Sequence, residues 1–273
     1  MTESASDKGE YAVTDEEKRK IREGIEKVKE NCKIAAEKSG RRAEDIRIVL
    51  ATKTQSAEKI NYALSCGINE IGENRVQEML EKYDALNKEN LHIHFIGTLQ
   101  TNKVKYIIDK VELIHSVNSK KLAAEIDRQA EKHGKIMDVL IEINAADEES
   151  KTGVAAEEFY ELLRYAATLP HIRVRGIMAI PPAPKKREDR QECFTNVNKL
   201  QIHADSRRYF TKIYQIFLDI STKKIDNIRM EILSLGMSAD YVEAIEEGSN
   251  MIRPGRAVFG ERAPLAPNPS DTL

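Results

Sequence analysis

Apolar and polar positions along this chain follow two alternating rhythms. Short, nearly continuous apolar runs give way to longer stretches in which apolar residues return every three or four positions. The first rhythm suits a strand buried on both faces, the second an amphipathic helix. Predicted strands cover Ile46–Thr52, Ile68–Gly72, Ile93–Gly97, Leu113–Val117, Met137–Asn144 and Val174–Ile180. Two more open the segments Ile232–Asp240 and Asn250–Gly260. Between them, Ser56 caps a helix ending at Cys66-Gly67, and Val76, Met79, Leu80, Tyr83 and Leu86 form one face of the next. A third helix opens at Ser119 and closes at Gly134, and a fourth lies near Ala155–Leu169. Ahead of all these, Thr14 and Glu17 have capping-box spacing, Ile21, Ile25, Val28, Cys32 and Ala35 share a face, and Gly40 is placed to end the helix. Strands that each lead into a helix argue for a parallel sheet covered on both faces. Eight of them favour closure into a (β/α)8 TIM barrel, here with an extra N-terminal helix.

The rhythm fails in three places. Residues 1–13 are small, polar and charged and are expected to be a disordered leader, and 263–273 a flexible tail, leaving 14–262 as one barrel domain. Between Pro181 and Ser206 the chain opens Pro-Pro-Ala-Pro-Lys-Lys-Arg and stays polar. That is far longer than a βα loop of about 2–6 residues. A solvated, irregular insertion around 184–204 is the expectation, in preference to a lid.

Composition narrows the partners. With 43 basic and 45 acidic residues the net charge is −2, so no bulk field draws this chain to nucleic acid or an anionic membrane. No apolar run approaches the roughly 18 residues of a membrane span. The polar N-terminus has no signal-peptide core, and a cytoplasmic location is expected. Cys32, Cys66 and Cys193 form no CxxC pair and offer neither a disulfide framework nor a zinc site. A closed barrel leaves no sheet edge to pair, which favours a monomer.

Candidate chemistry gathers where strands end. The last two predicted strands each run into a Gly/Ser turn and then a helix start. Glycine admits an anion close to the backbone, and free N–H groups there carry partial positive charge. Such a pair of turns describes the phosphate cup of a (β/α)8 barrel and points to a phosphorylated small molecule. Other strand-end residues are Lys53, Glu73, Asn74, Arg75, Gly97, Gln100, Asn102, Lys103, Asn144, Met178, Ser238 and Arg253. A desolvated Lys53 near Arg253 could form a Schiff base with an aldehyde, whereas a solvated lysine is the plainer alternative. His92 and His94 share a strand face, but a catalytic zinc needs three placed ligands and only His115 is near, so these histidines read as structural.

Several ordered motifs carry a resemblance. They are Ala51-Thr52-Lys53-Thr54, Gly72-Glu73-Asn74-Arg75-Val76-Gln77-Glu78, His94-Phe95-Ile96-Gly97-Thr98-Leu99-Gln100-Thr101-Asn102-Lys103, Lys151-Thr152-Gly153, Arg175 through Pro181, Ser234 through Asp240, and Arg253 through Gly260. Over about Ile21 to Arg262 the chain resembles the pyridoxal-phosphate homeostasis protein family, the single-barrel relatives of the alanine racemase N-terminal domain. The resemblance implies pyridoxal 5'-phosphate (PLP) as cofactor, held by Lys53 as an internal aldimine, a Schiff base. It puts Ser238, Gly255 and Arg256 at the phosphate, the last two through backbone N–H, Arg253 at the pyridine nitrogen, Asn74 near the ring and Met178 at a pocket wall. An arginine there leaves that nitrogen unprotonated and the ring a weak electron sink. Many family members have a small hydroxyl residue where Arg256 stands, so a backbone contact is expected there.

Related racemases take a second acid/base from a tyrosine in a C-terminal β domain. Here the chain runs out in Ala-Pro-Leu-Ala-Pro-Asn-Pro soon after the last motif. A non-catalytic role in buffering or delivering PLP is therefore expected, with PLP-dependent apoenzymes as candidate recipients. A one-faced racemase or lyase, and a phosphosugar enzyme, are the alternatives.

Overall fold

The computed structural model describes residues 12–144, 153–181 and 196–261. The expected leader up to residue 11, the tail, Cys193, Lys151-Thr152 and residues 184–195 of the expected insertion lie outside the described residues. The strands are β1 (Arg47–Ile48), β2 (Leu50–Ala51), β3 (Glu70–Glu73), β4 (His92–Phe95), β5 (Leu113–Val117), β6 (Met137–Asn144), β7 (Val154–Ala155), β8 (Ile172–Met178), β9 (Ile228–Met237) and β10 (Met251–Arg253). All pairings among them are parallel. β1 pairs with β10 while β2 pairs with β3, so the predicted first strand is one stave whose two halves lean on opposite neighbours. Counting β1 and β2 as one, and leaving aside β7, which pairs only with β6, the ten strands make eight staves closed into a barrel.

The helices are α1 (Asp15–Lys38), α2 (Ala57–Ser65), α3 (Val76–Tyr83), α4 (Lys120–Lys132), α5 (Ala156–Ala167), α6 (Asn196–Ser221), α7 (Tyr241–Glu246) and α8 (Arg256–Phe259). Their starts are written locally. Thr14 and Glu17 form a full capping box, and Ser56 and Ser119 accept from the backbone three residues on. Gly40, just past α1, has φ 73°, a left-handed angle that costs glycine little. Among the described residues, no helix is long and apolar enough to cross a membrane.

Two expectations need correction. The stretch expected to be irregular through Ser206 is helical from Asn196 onward, because α6 extends back from an apolar face of buried Tyr209, Phe210, Ile213 and Ile220. Once that face docks, each residue added at the N-terminal end gains a hydrogen bond for little further ordering cost. Between β4 and β5 the connection is a 3-10 turn, Thr101–Tyr106, rather than an α-helix.

Val49, Ile96, Leu113, Leu140, Met178, Ile232 and Met251 form one buried cluster. Their staves surround the barrel, so this cluster is its interior. β3 contributes Gly72, where a Cβ would come within 2.7 Å of Ile96 and 3.0 Å of Val49. A larger layer lies between the staves and helices α2 to α6, containing Ile71, Phe95, Ile114, Ile141, Phe159 and Phe210. Helix α1 packs separately against α2, α7, α8 and the β1–β10 side through Ile21, Ile25, Val28 and Cys32. Its Gly24 lets two backbones meet, since a Cβ there would lie 2.8 Å from both Ala257 O and Val258 Cα.

Candidate functional site

At the C-terminal ends of β2, β9 and β10 opens a cavity of about 390 Å³. Lys53, Gln55, Ser238, Arg253, Gly255 and Arg256 are among its lining residues. Five of the seven predicted site residues thus meet in one place, although 185 positions separate Lys53 from Ser238 (238 − 53). The other two do not line it. Met178 is 1% exposed and packs into the barrel interior. Asn74 sits under Gly97, where a Cβ would come within 2.1 Å of the Asn74 carbonyl oxygen, and its Oδ1 is buried without a hydrogen-bond partner among the described residues.

Lys53 follows β2 in a turn held from behind. Buried Lys82 of α3 donates from Nζ to Thr52 O at 2.9 Å and Gln55 O at 3.4 Å, bridging the turn. The same Nζ lies 2.9 Å from Glu73 Oε1 and 3.3 Å from Glu78 Oε1. Thr52 Oγ1 also donates to Glu73, and Thr54 N to Glu78. Glu73 therefore faces the helix layer and clamps this turn instead of entering the mouth. Burial raises its carboxyl pKa, against the lowering pull of Lys82 and Thr52. Thr54, next to Lys53, has φ 66°, a strained angle for a β-branched residue that the clamp sustains.

The opposite wall is made of backbone. Ser238 Oγ accepts the N–H of Gly255 at 3.0 Å and of Ala257 at 3.1 Å. A hydroxyl with both lone pairs engaged keeps its hydrogen to donate. Asp240 accepts the Met237 N–H at 2.7 Å and closes the turn that carries Ser238. Gly255 passes close to β2, since a Cβ there would stand 3.0 Å from Ala51 O and push that carbonyl by a few tenths of an ångström. The Arg256 side chain is exposed, 3.8 Å from Glu261.

Arg253 forms the floor and is 4% exposed. Its Nη1 donates to Ser234 O at 2.7 Å and Ser234 Oγ at 2.6 Å, and its Nη2 to Ala179 O at 3.0 Å. Burial brings its pKa down to about 10, with Asp240, Glu142 and Tyr209 pulling the other way. It stays a cation at neutral pH. An amine, a hydroxyl hydrogen, a glycine backbone and a buried cation together suit a small anion that also carries a carbonyl.

The histidine pair divides. His92 is partly exposed and meets Glu112 at 2.8 Å, whereas His94 is buried against His115. Among the described residues no group of three or more His, Cys, Asp or Glu side chains is arranged to hold a metal ion. Sequence reasoning did not anticipate Lys82 as the clamp of the Lys53 turn, nor Ser234 as the partner of Arg253. Only the helical spacing of Glu78 and Lys82 hinted at the former.

Residues 25–263 match the model of the alanine racemase N-terminal domain family. The chain is 41% identical over 240 residues to a Pyridoxal phosphate homeostasis protein of Aquifex aeolicus (strain VF5), covering 88% of this chain and 97% of that one. It is 34% identical over 245 residues to the protein of the same name from Escherichia coli (strain K12), covering 89% and 97%. A solved structure of an unknown protein from Bifidobacterium adolescentis superposes with a TM-score of 0.81 at 31% identity, covering 91% and 98%. PipY, the COG0325 family member of Synechococcus elongatus PCC7942, was solved without PLP (TM-score 0.69, 27% identity, covering 80% and 94%) and with PLP bound (0.73, 24%, covering 88% and 100%). The alanine racemase of Clostridium difficile 630 in complex with cycloserine shares the fold at a TM-score of 0.63 and 18% identity, with 89% of this chain covering only 60% of that longer one. The matches to the homeostasis proteins run almost the full length of those relatives, and this chain belongs to the pyridoxal phosphate homeostasis protein family, single-domain relatives of the alanine racemase N-terminal barrel.

Proposed function

We propose that this protein binds pyridoxal 5'-phosphate reversibly at the barrel mouth and buffers or delivers it without catalysing its turnover. One observation carries the reading: Lys53, Ser238, Arg253 and Gly255 come from three separate staves to line one cavity. Their chemistry fits the ligand. When bound, pyridoxal phosphate supplies an aldehyde that condenses with a primary amine, and an electron-withdrawing ring. Lys53 is the amine. Ser238 has an O–H to give the phosphate; the Gly255 N–H is spent on Ser238 Oγ and shapes the turn, so the backbone N–H offered beside it is that of Arg256. Arg253, a cation at neutral pH, would donate to the pyridine nitrogen and keep it from taking a proton, which suits holding the cofactor better than using it. The names of the Aquifex and Escherichia relatives, and the PLP bound to PipY, support the assignment.

The test is covalent capture. Protein incubated with pyridoxal phosphate and then reduced with borohydride should carry one pyridoxyl group on Lys53 by peptide mass spectrometry, and Lys53→Ala should carry none. Finding the label mainly on Lys103 or another lysine overturns the site. Catalysis is tested separately. Inversion of an amino acid needs a second positioned acid on the opposite face. The end of β8 offers Met178, Ala179 and Ile180, none of which titrates. Prolonged incubation with L-alanine should yield no D-alanine by chiral chromatography, and turnover near 1 s⁻¹, an ordinary enzyme rate, overturns the non-catalytic reading.

A further inference from the structure

Branched aliphatic side chains ordinarily fill the interior of such a barrel. A line of polar side chains runs through this one. Arg253 Nη1 donates to Ser234 Oγ at 2.6 Å, Ser234 Oγ lies 3.2 Å from His115 Nδ1, and His115 Nε2 lies 3.0 Å from His94 Nδ1. His94 Nε2 then faces Glu70 Oε2 at 3.6 Å, and Glu70 Oε1 accepts from Arg47 Nε at 2.9 Å. Ser234, His115 and His94 are all buried. The line spans from the mouth to the opposite end of the staves, where β1 and β3 begin.

The two ends give it a direction. A guanidinium can only donate, and a carboxylate paired with an arginine can only accept. Both imidazoles are neutral. Burial, with His94, Arg253 and Arg47 adding to it, pushes His115 well below the usual range, and burial with Arg47 and His92 brings His94 down to about 3. Each ring therefore carries one N–H. With Ser234 donating to His115 Nδ1, that ring donates from Nε2 to His94 Nδ1, and the His94 hydrogen sits on Nε2, aimed at Glu70. Reversed, a bare His94 Nε2 would face a carboxylate oxygen. Those two atoms are buried with no hydrogen-bond partner among the described residues and stand 3.6 Å apart, so only the first order sets an N–H against the carboxylate oxygen.

We propose that Ser234, His115 and His94 are positioning residues for Arg253, forming a one-way hydrogen-bond chain from its guanidinium to His94, with each imidazole protonated at Nε2 and the last N–H aimed at the Glu70 carboxylate. The chain holds one nitrogen of the guanidinium and Ala179 O another, which sets the edge that Arg253 presents to the mouth. What that edge recognises rests on the function proposed above, whereas the chain itself does not.

Long-range ¹H–¹⁵N correlation spectra of the ligand-free protein test it directly. Both buried rings should show a protonated Nε2 and an unprotonated Nδ1 at neutral pH. Ser234→Ala should shift the His115 ring nitrogens, and Glu70→Gln should remove the single tautomer of His94. In a binding titration Ser234→Ala should weaken pyridoxal phosphate affinity about 10-fold, the scale of one hydrogen bond to a charged group. An Nδ1–H tautomer or a charged imidazole at either position overturns the chain. Unchanged affinity in Ser234→Ala overturns its positioning role. Should Ser234→Ala not fold, the wild-type tautomers and Glu70→Gln decide. A wild-type protein that binds no pyridoxal phosphate would refute the proposed function while leaving the tautomer result to judge the chain.

Discussion

The two walls of the mouth are held by opposite means. On the β2 side, the Lys53 turn is clamped by charges taken out of water: Lys82 bridges Thr52 and Gln55 while pairing with Glu73 and Glu78. On the β9–β10 side, the Ser238 and Gly255 turns are held by backbone N–H groups on one hydroxyl, with α1 pressed against α8 through Gly24. A reactive amine must be aimed, and side chains from other elements do the aiming. An anion cradle needs backbone brought close, which depends on where side chains are missing. The first wall should therefore fail through an exposed imbalance of charge, the second through added bulk.

The largest effect is expected at Lys82. Lys82→Met leaves the Glu73 carboxylate buried without its cation, a loss of about 3–5 kcal/mol by urea unfolding. The loss should vary with pH. Glu73 has a raised carboxyl pKa in the fold, so the native state holds a proton that the unfolded chain releases, and stability falls as pH rises from the ordinary carboxylate range through the raised value. Removing Lys82 raises that pKa further. The deficit of the variant should be smaller near about pH 5 than near about pH 8. A deficit that shrinks as pH rises would mean that Glu73 does not carry the clamp.

Gly24→Ala comes next. Its Cβ would lie 2.8 Å from Ala257 O, forcing α1 and α8 apart at a cost of about 1–3 kcal/mol. Isothermal titration should show weakened pyridoxal phosphate binding, while capture of unphosphorylated pyridoxal by Lys53 is retained. Equal loss for both ligands would show that the two walls are not held independently.

Ser238→Ala frees the N–H groups of Gly255 and Ala257 and removes an O–H donor. Pyridoxal phosphate affinity should drop by about 0.5–3 kcal/mol, with pyridoxal much less affected. The smallest change in stability is expected for Thr54→Gly. Relief of the φ 66° strain and the greater freedom of glycine in the unfolded chain nearly cancel, to within about 1 kcal/mol. Capture by Lys53 should nonetheless slow in stopped-flow absorbance, because the turn loses its preset shape. An unchanged rate would show that the strain does not help aim the lysine.

Much of this was legible from residue order, because it depends on neighbours a few positions apart. Capping at Thr14, Ser56 and Ser119 is local, as is the apolar run of each stave. Eight such staves leave closure as a way to bury both faces without a free edge, and closure brings the strand ends together. That is how Lys53, Ser238 and Arg253 could be named before any coordinates, while Gly255 and Arg256 came from the family resemblance, and all five line one cavity. Asn74 and Met178 could not be sorted this way, since a strand-end residue can point into the mouth, the interior or a neighbouring loop.

Tertiary structure alone decided the rest. The Lys82 clamp joins residues 30 positions apart, and the contact of His115 with Ser234 spans 119. Neither separation leaves a periodic trace, and a buried histidine is spelled like an exposed one, as His92 and His94 show two positions apart. Gly24 reads as a weak point in a helix until α8 is packed against it. The start of α6 at Asn196 depended on an apolar face further along the same helix, docked against the barrel. The sequence by itself determined the staves, the caps and the chemistry available at the strand ends, because local periodicity and spacing specify them. Which polar groups would be buried together, and so what holds Lys53 and Arg253 in place, was decided only when the sheet closed and removed water from between distant residues.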